Sequence, residues 1–105
     1  LSLYSDLLAL REPAMRILYL IARQFNLLVR AKIALEENKS QSEIAAFLKV
    51  PPFTVKKYMT QSNAYTRTQL LSCINWCQEA DMDIKTGRKR DSVAVELLII
   101  KLLHA

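Results

Sequence analysis

Glycine is nearly absent from this sequence, which has one glycine and three prolines among 105 residues. Sandwiches and barrels of β-strands need a tight turn after almost every strand, and these two residue types form most such turns. Their scarcity therefore argues against an all-β fold. Hydrophobic residues make up 51% of the sequence, which is ample for a folded core and argues against disorder. We expect a single all-α domain that covers residues 1–105.

The sequence also lacks a long apolar segment. No run approaches the roughly 20 apolar residues that a membrane-spanning helix requires. No segment has the pattern of a signal peptide. These two absences predict a soluble protein of the cytoplasm.

Residues that bind metals or form disulfides are few. A structural zinc site takes about four ligands, whereas the sequence has one histidine, His104, and two cysteines, Cys73 and Cys77. The cysteines are four residues apart on a predicted helix, where side chains are poorly placed for a disulfide. We therefore expect reduced cysteines in the core and no metal.

Motifs of the common enzyme classes are missing as well. The sequence contains no glycine-rich phosphate-binding loop, no G-x-S-x-G nucleophile motif and no H-E-x-x-H metal motif. We expect no catalytic residue and no cofactor, so that the function should lie in binding or assembly.

Apolar residues recur at helical spacing along the whole chain and predict a bundle of about six helices. Leu3, Leu7 and Leu10 mark a first short helix, and a long second helix runs from Pro13 to about Asn38. More than half of the circumference of the long helix is apolar, so we expect it to be buried on more than one side. The other helices begin near residues 40, 53, 66 and 91.

Capping signals support these boundaries. Ser40 with Glu43, and Thr66 with Gln69, have the spacing of a capping box, in which two side chains satisfy free N–H groups at a helix start. Asn38 and the single glycine, Gly87, suit the left-handed conformation that ends many helices.

The last helix is predicted to begin at Asp91, a good N-cap residue. From residue 93 to residue 103 it is almost entirely apolar. Such a helix is buried within its own domain or against another chain.

One segment, SQSEIAAFLKVPPFTVKKYM (residues 40–59), resembles a helix-turn-helix. Ile44, Ala45, Leu48 and Val55 match the core spacing of that motif. In DNA-binding versions, the first turn of the second helix reads base edges. Here that turn is Pro-Pro-Phe-Thr and lacks the arginine, asparagine or glutamine that usually reads bases. We interpret the motif as structural, and sequence-specific DNA binding is the alternative.

Arginines form a regular row on the long helix. Arg16, Arg23 and Arg30 are seven residues apart, so they lie on one side of the helix beside Leu20 and Leu27. A solvated polar face is one interpretation. The neighbouring leucines favour another, because protein interfaces often combine arginine with buried aliphatic residues. We predict that these five residues contact another subunit.

The chain is basic, with 15 basic and 10 acidic residues and a net charge of +5. This balance favours an anionic partner, although a soluble domain can be mildly basic without one. Phosphate contacts carry no sequence information, so we expect weak, non-specific DNA binding. The candidate nucleic-acid contacts are Lys56, Lys57, Arg88, Lys89 and Arg90.

Asp81 lies on the apolar face of the helix that ends near Gly87. A partly buried carboxylate needs a partner. Lys85, one turn on, and Lys32 of the long helix are the candidates.

Three segments together resemble a known family. LIARQFNLLVRAK, then EIAAFLKVPPFTVKKY, then DMDIKTG at residues 81–87, followed by the acidic-capped apolar helix, are similar to the C-terminal region of the delta subunit of bacterial DNA polymerase III. The resemblance covers essentially the whole chain in the right order.

The resemblance implies a role in DNA replication without catalysis. In that family the delta subunit is one of five subunits of the clamp loader, and its C-terminal helical domain joins those of the others in a ring-shaped collar. ATP hydrolysis belongs to other subunits, and contact with the sliding clamp belongs to the family's N-terminal region. The expected partners are therefore the other clamp-loader subunits. The alternative is the helix-turn-helix domain of a transcription regulator.

Overall fold

The computed structural model describes residues 13–104, and most of these residues are helical, with no β-strand among them. The five α-helices of this part of the chain alternate with short connections, and a 3-10 turn, Pro52–Thr54, leads into the third. The all-α fold class is confirmed, whereas the short helix predicted around Leu3, Leu7 and Leu10 lies outside the described residues. The helices are α1 (Ala14–Glu36), α2 (Gln41–Leu48), α3 (Val55–Ser62), α4 (Arg67–Lys85) and α5 (Asp91–Leu103).

Both predicted capping boxes are present. At the start of α2, the Glu43 backbone N–H donates to Ser40 Oγ (3.2 Å) and the Ser40 N–H donates to Glu43 Oε1 (3.1 Å). At the start of α4, the Thr66 N–H donates to Gln69 Oε1 (2.8 Å) and the Gln69 N–H to Thr66 Oγ1 (3.1 Å). Each box satisfies two N–H groups that the helix itself leaves without partners.

Three residues adopt left-handed backbone conformations at or near helix ends. Asn38 (φ 56°) and Gly87 (φ 75°) do so as predicted, and Lys49 (φ 58°) does so directly after α2. The predicted N-cap of α5 was one residue too late. The N-cap is Arg90, and Asp91 is the first helical residue, whose carboxylate accepts a hydrogen bond from the Ser92 N–H (2.7 Å).

The chain divides into two compact units, with the division falling inside α1 and inside α4. Of the described residues, unit 1 comprises residues 13–23 and 72–104, and unit 2 comprises Gln24–Leu71. Each unit has its own set of buried side chains.

The core of unit 2 joins the second half of α1 to the helix-turn-helix-like pair. The cluster of buried residues holds α1, α2 and α3 together, with Val50, Tyr58 and Met59 packed against it. Its small alanines let α1 and α2 approach closely, and the larger side chains fill the space between them. The buried members are Leu27, Ala31, Ala34, Ile44, Ala45, Leu48 and Val55.

Polar contacts add to this core. Gln24 Nε2 donates to Gln61 Oε1 (2.7 Å), and Lys32 Nζ donates to the Ser62 carbonyl (3.2 Å). Phe25 meets Tyr65 edge-to-face, with ring centroids 6.1 Å apart. These contacts fix α3 and the residues after it on α1.

The buried side chains of unit 1 come from α1, α4 and α5, and almost all are apolar. Cys73 and Cys77 are among them as free thiols, as predicted. Asp81 is partly buried and pairs with Lys85, whose ammonium lies 2.7 Å from the carboxylate. The hydrophobic members are Ile17, Leu18, Cys73, Cys77, Ala80, Ala94, Val95, Leu98 and Ile99.

Candidate interaction surfaces

Helix α5 of unit 1 has an exposed side that is mostly apolar. Val93, Leu97 and Ile100 follow one another by four and then three residues, so they lie on one side of the helix, and each is more than a third exposed. Leu103 is 61% exposed near the end of the helix. Because Val95, Leu98 and Ile99 already fill the core, α5 is apolar on both its buried and its exposed sides. The folded unit therefore leaves apolar area available to a partner.

A groove runs along α4 and α5 on this side of unit 1. Its volume is about 230 Å³, and Trp76, Ala80, Leu97 and Ile100 form much of its apolar lining. Lys101 and Glu79 also line it, with 3.8 Å between the ammonium and the carboxylate. The lining thus combines apolar side chains with an ion pair.

The first half of α1, also in unit 1, presents a mixed apolar and basic surface. Arg16, Leu20 and Arg23 are exposed, as the interface hypothesis requires. Met15 and Tyr19 lie beside them, and Tyr19 is 59% exposed. Arginine next to exposed aromatic and aliphatic side chains is a composition enriched at protein interfaces.

The interface hypothesis needs correction at Leu27, which lies in unit 2. Leu27 is 6% exposed and belongs to the core cluster. It packs against α2 and α3 residues, so it offers no surface to another subunit. Helical spacing placed it correctly beside the arginines but could not show that α2 and α3 cover that side of α1.

Arg30 is exposed but has a partner in its own unit. Its guanidinium lies 5.9 Å from the centroid of the Phe47 ring, within the range of a cation–π interaction. Phe47 also lines a groove of about 410 Å³ between α1 and α2, with Ile33, Ala34 and Glu43 among the other lining residues.

The helix-turn-helix-like pair forms as predicted, but its second helix is preceded by a rigid turn. Thr54 Oγ1 and the Thr54 N–H both donate to the Pro51 carbonyl, at 2.7 and 3.0 Å. Gln41 Nε2 donates to the Pro52 carbonyl (2.9 Å). Phe53, at the tip of the turn, is 82% exposed. The absence of base-reading residues from this turn gave no signal for the exposure of Phe53.

The candidate nucleic-acid contacts fall into two groups. In unit 2, Lys56 and Lys57 are exposed and pair with no acidic residue among those described. In unit 1, Arg88 and Lys89 both approach Asp83, at 3.8 and 3.0 Å. Their charge is therefore partly neutralised, which weakens any contact with phosphate.

Arg90 completes the second group. It is exposed and occupies the N-cap position of α5 without a side-chain capping bond.

The two cysteines lack the properties of reactive thiols. Burial raises the pKa of the Cys73 thiol, and burial together with the nearby Cys73 raises that of Cys77 to about 11. Reaction requires the thiolate, so both behave as core residues.

Within residues 13–104, no group of three or more His, Cys, Asp or Glu side chains could hold a metal ion. None of the helices described there is both long enough and apolar enough to cross a membrane.

Known proteins match this chain over nearly its full length. The family model for the C-terminal domain of the DNA polymerase III delta subunit matches residues 1–102. The chain belongs to this family. The DNA polymerase III subunit delta of Bacillus subtilis is 35% identical over 103 residues, which are 98% of this chain and 30% of that protein.

The structural comparison agrees with the family assignment. The solved Bacillus subtilis DNA clamp loader delta protein matches with a TM-score of 0.90 and 34% identity, covering 99% of this chain and 31% of that one. The chain thus spans about a third of the length of these delta-subunit relatives. The comparisons do not support the alternative of a transcription regulator.

Proposed function

We propose that this chain is a collar module of a DNA polymerase III clamp loader, which joins other clamp-loader subunits during DNA replication. The observation that carries the proposal is the match over 99% of the chain to a clamp loader delta protein at a TM-score of 0.90. The proposed role is assembly without catalysis. The other clamp-loader subunits are the partners, and the cytoplasm is the place of action.

Two surfaces of unit 1 are the proposed subunit contacts. One is the exposed side of α5, formed by Val93, Leu97, Ile100 and Leu103. The other is the surface of Arg16, Leu20 and Arg23 on α1, with Met15 and Tyr19 beside it. Covering exposed apolar area contributes about 25 cal/mol per Å², and arginine forms two-pronged pairs with carboxylates of a neighbour.

Weak, non-specific DNA contact is the second part of the proposal. Lys56 and Lys57 in unit 2 and Arg90 in unit 1 supply positive charge that no described acidic residue neutralises. Contacts of this kind are lost as salt rises, because phosphates regain their counterions. We place Arg88 and Lys89 in the same category, with a smaller contribution because both approach Asp83.

Native mass spectrometry tests the assembly role. The chain is mixed with the remaining clamp-loader subunits, and the masses of the complexes are measured. The proposal expects a complex that contains this chain together with several other subunits. It would be overturned if the other subunits assembled among themselves and left this chain unbound.

A further inference from the structure

Phe53 is the most exposed large hydrophobic residue of the described chain. It is 82% exposed, compared with 49% for Phe47, the other exposed phenylalanine of unit 2. An aromatic ring left in water forgoes the favourable free energy of burial. A ring that is almost fully exposed therefore suggests a partner that the chain itself does not supply.

The turn that carries Phe53 is held in one conformation. The two proline rings restrict the backbone at residues 51 and 52, and Thr54 closes the turn with two hydrogen bonds to the Pro51 carbonyl. Gln41 of α2 anchors the Pro52 carbonyl from the other side (2.9 Å). The ring is thus presented on a rigid support, so that binding loses little backbone entropy.

Two exposed lysines follow the ring at helical spacing. Phe53 belongs to the 3-10 turn Pro52–Thr54, which leads directly into α3, and Lys56 and Lys57 come three and four residues after it. Helical spacing of three and four places side chains on one side, so we infer that both lysines lie near the ring. Thr60, one further turn along, is exposed as well, whereas Val55 and Ser62 are buried on the opposite side. The result is an exposed face with an aromatic ring at one end and two cationic groups beside it. We call Phe53, Lys56, Lys57 and Thr60 the Phe53 face.

The sequence on both sides of the Phe53 face carries charge of one sign only. From residue 44 to residue 71 the sequence has no acidic residue. Lys49, in the turn after α2, is also exposed and cationic. Arg67 differs, because it approaches Glu36 at 3.6 Å. A partner of this face must therefore bind next to several positive charges, which favours an anionic partner.

We propose that the Phe53 face binds single-stranded DNA, with a base stacked on the Phe53 ring and phosphates near Lys56 and Lys57. Proteins that bind single strands without sequence preference combine aromatic rings with a positively charged track. Stacking also explains why the first turn of this helix lacks base-reading side chains. A ring recognises the flat face of any base, and that face is covered in a duplex.

The proposal rests on and deepens the DNA contact proposed above for Lys56 and Lys57, and it does not depend on the assembly role. A neighbouring subunit with an acidic, apolar surface is the competing occupant. The two differ in what they need from residue 53, because stacking needs a flat aromatic ring, whereas a protein contact needs apolar volume.

The test measures the affinity of the chain for a labelled oligothymidylate strand by fluorescence anisotropy. Phe53→Ala and Phe53→Leu should each weaken binding by about tenfold, since stacking on one ring contributes on this scale, and Phe53→Trp should retain it. Phe47→Leu, which removes the other exposed phenylalanine of unit 2, is the matched control and should leave affinity unchanged. Circular dichroism verifies that each variant stays folded.

The lysines are tested by salt dependence. Changing Lys56 and Lys57 to glutamine should make the plot of log affinity against log salt shallower by about 0.7 for each lysine. A duplex of the same length should bind more weakly than the single strand.

Three results would overturn the proposal. In the first, Phe53→Leu binds the strand with the same affinity as the unchanged chain does. In the second, single strand and duplex bind with equal affinity. In the third, Phe53 variants lose subunit assembly while keeping strand affinity. The last result would identify the Phe53 face as a protein contact. If the Phe53 variants lose strand binding but assemble normally, the inference is supported. If the unchanged chain fails to assemble, only the proposed collar role is contradicted.

Discussion

The ammonium of Lys89 lies 3.0 Å from the Asp83 carboxylate, six residues earlier in the chain. Arg88 approaches the same carboxylate at 3.8 Å, and the N–H groups of both residues donate to the Asp83 carbonyl. Asp83, near the end of α4, therefore both shapes the loop that carries Arg88, Lys89 and Arg90, here called the basic loop, and neutralises part of its charge.

Asp83→Asn should increase the affinity of the chain for DNA, because Arg88 and Lys89 lose their nearby negative charge. The Asp83 side chain is 18% exposed, whereas Arg88 and Lys89 are 71% and 42% exposed. Because both cations reach solvent, the free energy of unfolding should fall by about 1 kcal/mol, the upper end for ion pairs near the surface. Anisotropy titrations against salt measure the first effect and urea unfolding the second. Glu96→Gln, which removes an exposed charge from α5, is the control. An unchanged DNA affinity for Asp83→Asn would remove the basic loop from the proposed contacts.

Leu27→Ala should lower the free energy of unfolding by about 2–5 kcal/mol, the usual range for a buried leucine. Leu27 is 6% exposed in the core of unit 2, whereas Leu20, on the same helix, is 37% exposed. Leu20→Ala is therefore the matched control and should lower it by less than about 1 kcal/mol. Urea unfolding followed by circular dichroism gives both values. Equal losses for the two variants would show that Leu27 is not a core residue.

Local features of the fold could be predicted from the sequence, because their causes are local. The Ser40–Glu43 and Thr66–Gln69 capping boxes involve residues three positions apart, and the left-handed ends at Asn38 and Gly87 depend on single residue types. The Asp81–Lys85 pair was predictable for the same reason, since the residues are one helical turn apart.

Features set by more distant parts of the chain could not be predicted. Helical spacing gives the side of α1 on which Leu27 lies, but which sides α2 and α3 cover depends on tertiary packing. The approach of Arg88 and Lys89 to Asp83 depends on the path of the loop. The exposure of Phe53 depends on a turn held by Gln41, eleven positions before Pro52.

Lys49→Gly should stabilise the chain by up to about 1 kcal/mol. Lys49 has φ 58° and ψ 45°, a conformation that costs residues with a Cβ atom about 1–2 kcal/mol, and the greater freedom of glycine when unfolded offsets part of the gain. Ala46→Gly, inside α2, should instead destabilise by about 1 kcal/mol. Thermal unfolding of the two variants should shift in opposite directions. A destabilised Lys49→Gly variant would show that the lysine side chain contributes more than the strain it imposes.

Cys73 and Cys77 should resist thiol reagents at neutral pH in the folded chain and react after unfolding, because burial raises the pKa of both thiols. The Cys77 pKa rises from 9.0 to about 11 on folding. Its contribution to stability is therefore complete below pH 9 and is lost as the pH approaches about 11. Cys77→Ala should reduce the loss of stability across that interval. Rapid labelling of the folded chain at neutral pH would contradict the burial of the thiols.

We propose above that exposed apolar side chains of unit 1 join this chain to other clamp-loader subunits. Leu97→Asp places a charge on the exposed side of α5, where the side chain is 42% exposed, so the chain should keep its helicity. Gln78→Asp adds the same charge at an exposed position of α4 and serves as the control.

The most direct test is the affinity of each variant for the remaining clamp-loader subunits, measured by a quantitative pull-down with circular dichroism on the same samples. Leu97→Asp should retain its helicity and lose at least about tenfold in affinity, or about 1.4 kcal/mol, while Gln78→Asp should assemble normally. Normal helicity and normal assembly for Leu97→Asp would contradict the role of α5 in subunit contact.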